Sequence, residues 1–226
     1  MGSTRLVCIS DTHNQHFDLD LPSGDVLVHS GDFTNLGRLE SILAFMNWME
    51  AQDFEHKILI CGNHELEVSG QTEYMEHVAE SFGIELIHNR VIEINGVSFY
   101  GEPRSQEFFD WGWMYARGYA ATKVWDKLPS VDVLVTHGPP YGIADNVPRR
   151  MDTYTGKLSE NAGCPELRKR LEYQTKIPLV VCGHIHEGYG IHQTTFGTTV
   201  VNAAIMDRQY RPVNKPIVID FHKDEK

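Results

Sequence analysis

The chain has 226 residues, 41% of them hydrophobic and 23% charged, a length and balance suited to one large α/β domain with a substantial core. Its formal net charge of −11 argues against a surface built to neutralise nucleic-acid phosphates, which needs clustered Lys and Arg. A small anionic ligand stays compatible with that charge, because bound cations reverse the local potential. No apolar h-region and no run of 18 apolar residues is present, so a cytoplasmic protein with no membrane contact is the expectation.

In chain order, residues 4–10 read as a strand that stops at Asp11-Thr12-His13. The run Asp25 to Ser30 is a second strand, closed by Gly31-Asp32. Apolar residues at Leu36, Leu39, Ile42, Leu43, Met46 and Met49 give helical spacing, with Asn35 as N-cap. A strand over 57–61 follows and runs into Gly62-Asn63-His64-Glu65. Gln71 to Phe82 reads as a helix with Gly83 as its C-cap. Short strands come next at 84–87, 90–94 and 97–101, the last two joined by the type I′ signal Asn95-Gly96.

Residues 102–118 are aromatic and irregular, with Trp111, Trp113 and Tyr115 reading equally as a hydrophobic lid or a base-stacking platform. A short helix over 119–127 precedes a strand at 131–136, which ends in His137-Gly138. The stretch 138–162 reads as a long loop, of a length that is usually functional inside a compact domain. A helix from Pro165 to about Thr175 leads into a strand at 178–182 that ends in Gly183-His184-Ile185-His186. Further strands fall at 190–193, 198–202 and 216–221, and no linker divides the chain, so residues 1–226 form one expected domain. The four cysteines form no CxxC pair and read as small hydrophobes of a core in a reducing compartment.

Five strand ends therefore carry ligand-type side chains: Asp11, His13, Asp32, Asn63, His137, His184 and His186. A carboxylate at the carboxyl end of a buried strand points into the crevice where open α/β sheets keep ligands. Two residues apart, Asp11 and His13 share a direction on extended backbone, and so do His184 and His186. Imidazoles paired this way form a half-site for zinc, iron or manganese. Seven side chains with Asp32 shared give four protein contacts to each of two ions. A pair of ions clamps the oxygens of an in-line phosphoryl displacement and makes a bridging hydroxide available near neutral pH. His64 is left over as a non-ligand, suited to bind the phosphate and protonate the departing alkoxide.

Taken in order, Asp11-x-His13, Gly31-Asp32, Gly62-Asn63-His64-Glu65, Thr136-His137-Gly138 and Gly183-His184-x-His186 resemble the five-part signature of the calcineurin-like metallophosphoesterases. The longer runs Thr136 to Pro140, Gly183 to Gly190 and Asn214 to Asp220 are similar to the metallophosphoesterase-domain (MPPED) subgroup and to class III cyclic-nucleotide phosphodiesterases. The resemblance implies a two-sheet β-sandwich flanked by helices, a four-layer α/β/β/α fold. It also implies Asp11, His13, Asp32 and His186 on one ion, and Asp32, Asn63, His137 and His184 on the other. The implied reaction is hydrolysis of phosphodiesters, with cyclic nucleotides leading, through His64, Asp32 and Asn63 as catalytic residues.

One departure matters. Protein phosphatases of this family carry Gly-Asp-x-x-Asp-Arg-Gly, and the run here is Gly31-Asp32-Phe33-Thr34-Asn35-Leu36-Gly37, without the clamping arginine. Asn63, His64 and Arg104 are the expected substrate contacts, with Arg117, Arg149 and Arg150 as further cations near an anionic ester. Manganese is the favoured metal among Mn, Fe, Zn and Ni. A phosphomonoesterase, a metal-binding scaffold with little catalysis and a nuclease are the alternatives, and monomer and homodimer are both open. His29 reads as a packed neighbour of the site; His16, His56, His77, His88, His192 and His222 read as surface or loop residues.

Overall fold

The computed structural model describes residues 3–152 and 156–223. Its first half runs β1 (Thr4–Ile9), β2 (Val26–His29), α1 (Leu39–Glu50), β3 (His56–Leu59), α2 (Thr72–Glu80), β4 (Glu85–Leu86), β5 (Val91–Ile94) and β6 (Val97–Glu102). Next come β7 (Ser105–Gln106), β8 (Met114–Tyr115), α3 (Tyr119–Trp125), β9 (Val133–Thr136), β10 (Asn146–Met151) and β11 (Leu158–Asn161). The last elements are α4 (Pro165–Tyr173), β12 (Leu179–Cys182), β13 (Gly190–Gln193), β14 (Thr199–Asn202) and β15 (Ile217–Phe221).

Two sheets are built from these strands, in the orders β15-β1-β2-β3-β4 and β13-β14-β12-β9-β6-β5. The interior of each is parallel, and antiparallel strands occupy the edges: β15 on one sheet, β13 and β5 on the other. Continuous apolar runs such as Leu6-Val7-Cys8-Ile9 are buried on both faces, as central parallel strands must be. Side chains alternate with the pleat. Leu6, Cys8, Val26, Val28, Ile58 and Ile60 meet Phe99, Val133, Val135, Val181 and Val201 between the sheets. Their neighbours Val7, Ile9, Leu27 and Leu59 face outward onto Ile42, Phe45, Met46 and Met49 of α1 and Met75 of α2. On the far side Leu134, Val180 and Val200 pack against Trp125 of α3 and Leu167 and Leu171 of α4. Helix, sheet, sheet, helix: the four layers match the expected architecture.

Local expectations fare unevenly. Asn95 and Gly96 both have positive φ, 52° and 77°, as a type I′ turn requires. Gly83, at φ 65°, closes α2 by a Schellman arrangement in which the Ile84 N–H reaches the Ala79 carbonyl and the Gly83 N–H reaches Glu80. Helix α1 begins three residues later than its spacing suggests, with Arg38 at the N-cap and no side-chain cap. Asn35 is therefore not the cap; its carbonyl serves His64 instead. Leu36, Leu39 and Leu43 are exposed, and Phe45 joins the buried face in their place. The stretch 138–162 is not a plain loop, since β10 and β11 form a two-stranded antiparallel ribbon; residues 153–155 lie outside the described residues. All four cysteines are free and buried, three of them on or beside central strands.

Two histidines assigned to the surface are interior. His16 lies among Phe17, Phe45 and Trp48, and His88 accepts the Cys61 N–H through Nε2 at 2.9 Å against Trp113. Burial pushes His88 down to about 3, helped by Arg104 and Arg90, so it folds as a neutral ring. In the unfolded chain it takes up a proton below about pH 6.5. Stability owed to the neutral ring is thus complete above about pH 6.5 and is lost as pH falls toward 3, at about 1.4 kcal/mol per pH unit inside that window. Denaturant titrations at pH 7 and pH 5 are expected to show this loss, and His88→Gln, which retains an acceptor, is expected to flatten it by about that slope.

Candidate metal centre

The sheets bring the five ligand-bearing strand ends to one edge of the sandwich. Asp11 and His13 follow β1, Asp32 follows β2, and Asn63 and His64 follow β3 in the first sheet; His137 follows β9, and His184 and His186 follow β12 in the second. Three interlocking groups result, each with ligand atoms within 4.8 Å of one another: Asp11, His13 and His186; His13, Asp32 and His64; and Asp32, His137 and His184. Asn63 joins the third through its Oδ1, 2.9 Å from His137 Nε2. All seven expected ligands are therefore in one place, and Asp32 stands between the two halves.

The donors are poised in a manner typical of metal-binding imidazoles, whose outer nitrogen is tied to a carbonyl or carboxylate. His137 Nδ1 donates to the Ser30 carbonyl and His186 Nδ1 to the Asp207 carbonyl, both at 2.9 Å, so each Nε2 faces inward. Those inward atoms lie 3.2 Å from Asp32 Oδ2 and 3.4 Å from Asp11 Oδ1. Burial opposes charge on these rings, yet the facing carboxylates raise both His137 and His186 to about 9. Burial likewise opposes ionisation of Asp11 and Asp32, and the histidines beside them hold both carboxyls well below the usual range. His13 is different. Both its ring nitrogens are buried without a hydrogen-bond partner, and burial lowers it to about 4. An orphaned neutral imidazole aimed at two anionic carboxylates fits a divalent cation with nitrogen and oxygen ligands.

Backbone strain marks the same residues. Asp11, His13, Asp32 and His184 have φ of 53°, 43°, 56° and 65°, a left-handed region that ordinary residues rarely occupy. Strain of this sort persists only where surrounding contacts enforce it, here the N–H of His184 on both Asp11 oxygens and that of His64 on Asp32 Oδ1. Close approach explains Gly183, where an added Cβ would run into Asp11 Oδ2 and Ser10 Oγ.

Glu65 and Tyr210 are neighbours of the centre to which the sequence assigned no role. Glu65 accepts the N–H groups of Gly62, Asp32 and Thr34 and the Thr34 hydroxyl, binding the loops after β2 and β3 together. Burial and the Asp32 charge push it up to about 8, while those four donors favour its ionised form. His64 Nδ1 donates to the Asn35 carbonyl at 2.9 Å, and its ring lies 4.3 Å from Trp111 at 33°. The Tyr210 ring meets His13 and His186 edge to face, with centroids 4.9 and 5.1 Å away. A cavity of about 170 Å³ opens over this centre, with Gln106, Phe108, Trp111, Arg117 and Arg150 in its walls. Arg104 is elsewhere: it forks onto Glu102 at 2.7 and 2.9 Å and lines a separate groove with Tyr100 and Tyr119. Arg117 and Arg150, and not Arg104, line the cavity over the centre. Trp113 and Tyr115 are buried packing residues, and only Trp111 of that trio reaches the cavity. His29 is the packed neighbour expected, its Nε2 3.1 Å from Thr12 Oγ1.

A paired carboxylate–imidazole centre at the carboxyl edge of an α/β/β/α sandwich defines a metal-dependent phosphoesterase. The profile described as calcineurin-like phosphoesterase matches residues 4–188, and the chain belongs to that family of metallophosphoesterase hydrolases. It is 36% identical over 242 residues to Metallophosphoesterase domain-containing protein 1 of Homo sapiens, covering 97% of this chain and 72% of that protein. It is also 36% identical to the UPF0046 protein C25E10.12 of Caenorhabditis elegans, covering 97% and 82%. The solved structure of TT1561 of Thermus thermophilus shares the fold, with a TM-score of 0.56 at 12% identity over 88% of each chain. Among the described residues no helix is long and apolar enough to cross a membrane.

The Gly183→Ala variant is expected to bind metal roughly 10- to 100-fold more weakly, because its methyl group displaces the Asp11 carboxylate. Metal content by elemental analysis after dialysis, beside an unchanged far-UV spectrum, checks this.

Proposed function

We propose that the chain hydrolyses small phosphodiesters, cyclic nucleotides foremost, with two divalent cations held by the seven strand-end ligands. Asp11, His13, Asp32 and His186 would hold one, and Asp32, Asn63, His137 and His184 the other, with manganese the first metal to try. The observation that carries this is the position of Asp32, common to a group with His13 and a group with His137 and His184. When bound, such cations activate water and neutralise charge on the phosphoryl oxygens.

The side chains divide the remaining work. Asp32 lies between the halves of the centre, its Oδ1 held by the His64 N–H and its Oδ2 facing His137. Asn63 directs Oδ1 at the ligand cluster, which leaves its amide nitrogen to donate to a phosphoryl oxygen. His64 keeps its Nδ1 proton on the Asn35 carbonyl, so it is as an imidazolium that its Nε2–H hands a proton to the departing alkoxide. Arg150 is a cation in the cavity wall, beside Arg117, whose guanidinium is paired with Asp152 at 2.9 Å. A space of about 170 Å³ and a net charge of −11 favour a small ester over a nucleic-acid polymer. The missing phosphatase arginine, with Leu36 at that position, favours diesters over monoesters.

Asp32→Ala is expected to abolish both turnover and metal loading, since it removes a ligand common to both halves. His64→Ala is expected to lower kcat by about 10²- to 10⁴-fold with metal content near normal. Elemental analysis paired with hydrolysis of bis(p-nitrophenyl) phosphate and of 2′,3′- and 3′,5′-cyclic nucleotides under Mn²⁺ distinguishes these outcomes. Metal-loaded wild-type protein that turns over none of these esters overturns the proposal, and loss of metal from His64→Ala overturns the role given to His64.

A further inference from the structure

Gln106 sits on β7, opposite Tyr115 of β8, in the wall of the cavity that contains Asp32, Asn63 and His64. Its side chain is 6% exposed. The amide nitrogen donates twice, to the carbonyls of Gly163 at 2.5 Å and Ala162 at 3.0 Å. Turning the amide over would set its oxygen against those two carbonyl oxygens, so the orientation is determined by its partners. The N–H groups of the same two residues are also committed, both to Asp145. Oε1 is left buried with no partner. A buried acceptor without a donor costs on the order of 1–3 kcal/mol, and in a substrate cavity it is the mark of a group that waits for its ligand.

The surroundings narrow what that ligand carries. Phe108 and Trp111, from the same segment as Gln106, line the cavity, and the Trp111 ring already leans on His64. Arg150 and the Asp152-paired Arg117 line the cavity, and the ligand cluster marks its phosphorus end. Neither the aromatic wall nor a neutral acceptor has a use for the phosphoryl group. Both suit the alcohol half of the ester.

We propose that Gln106 is the specificity-determining residue of this site: Oε1 accepts a hydrogen bond from an N–H or O–H carried by a flat ring in the alcohol half of the phosphoester, the ring lying against Phe108 and Trp111. This rests on the phosphodiesterase reading above and names which esters that activity prefers. A site built around an acceptor discriminates against analogues that lack the donor, because the acceptor is then left unpaired.

The test uses metal-loaded full-length protein and p-nitrophenyl phosphodiesters whose second arm is an ortho-, meta- or para-hydroxyphenyl or aminophenyl group, each beside its O-methyl or N,N-dimethyl counterpart. Wild-type protein is expected to favour at least one donor arm over its methylated partner by roughly tenfold to a hundredfold in kcat/KM. Gln106→Met is expected to erase that preference while bis(p-nitrophenyl) phosphate, which carries no donor, remains a substrate, and to melt lower than wild type because the Gly163 and Ala162 carbonyls lose their donor. Equal turnover of every donor arm and its partner by wild type overturns the inference, as does a preference that survives in Gln106→Met. A folded variant that no longer turns over bis(p-nitrophenyl) phosphate also overturns it, by making Gln106 a general requirement. Should the variant fail to fold, the wild-type arm comparison decides alone. Silence of wild type toward the whole series sinks the phosphodiesterase reading, and the Gln106 inference with it.

Discussion

Two carboxylates, Asp11 and Asp32, are held almost wholly out of water, and the rest of the structure depends on how that is tolerated. A buried charge is costly unless it is paired and hydrogen-bonded. Here each carboxylate accepts backbone N–H groups from the loop of another strand and faces an imidazole whose far side is tied to a carbonyl. Pairing of that kind is weak evidence for stability, since well-packed apolar residues do as well or better. The arrangement makes sense as a candidate cation site, where carboxylates would supply charge and imidazoles, once deprotonated at Nε2, would supply lone pairs.

Everything near the centre then serves to position these few atoms. Glu65 touches no imidazole, yet its four donors come from both sides of Asp32 and fasten the loops after β2 and β3 to each other. Gly183 lets one loop pass so close to Asp11 that a side chain has no room. Left-handed backbone at Asp11, His13, Asp32 and His184 turns each chain end sharply away from its strand. These are local departures from comfortable geometry, and they fall where chemistry needs fixed distances.

The strand ends were legible because each is a short, local pattern: an apolar run, a glycine, serine or threonine, then a ligand. The four layers were legible for a related reason, since central parallel strands need apolar residues on both faces and the helices need one apolar stripe. What escaped was whatever depends on distant partners. Arg104 looks like a free cation until Glu102 is seen beside it, in a fork that no spacing rule announces. His88 and His16 carry the composition of a surface and the environment of a core. Asn35 has the side chain of a cap, but the chain runs on to Arg38 before the helix begins, and it is the Asn35 carbonyl that matters. In β10 and β11 the mixed pattern Asn-Val-Pro-Arg-Arg-Met hides a ribbon, because both of its faces are largely wet.

The topology of the centre reaches beyond its chemistry. Asp11 and His184 are 173 positions apart, and Asp32 of one sheet meets His137 of the other only when the sandwich has closed. Segments joined over such spans pay their loop entropy before any contact rewards them. The candidate cation site at this edge is therefore complete only once both sheets are in place. Closure of the sandwich and completion of the ligand cluster are one event.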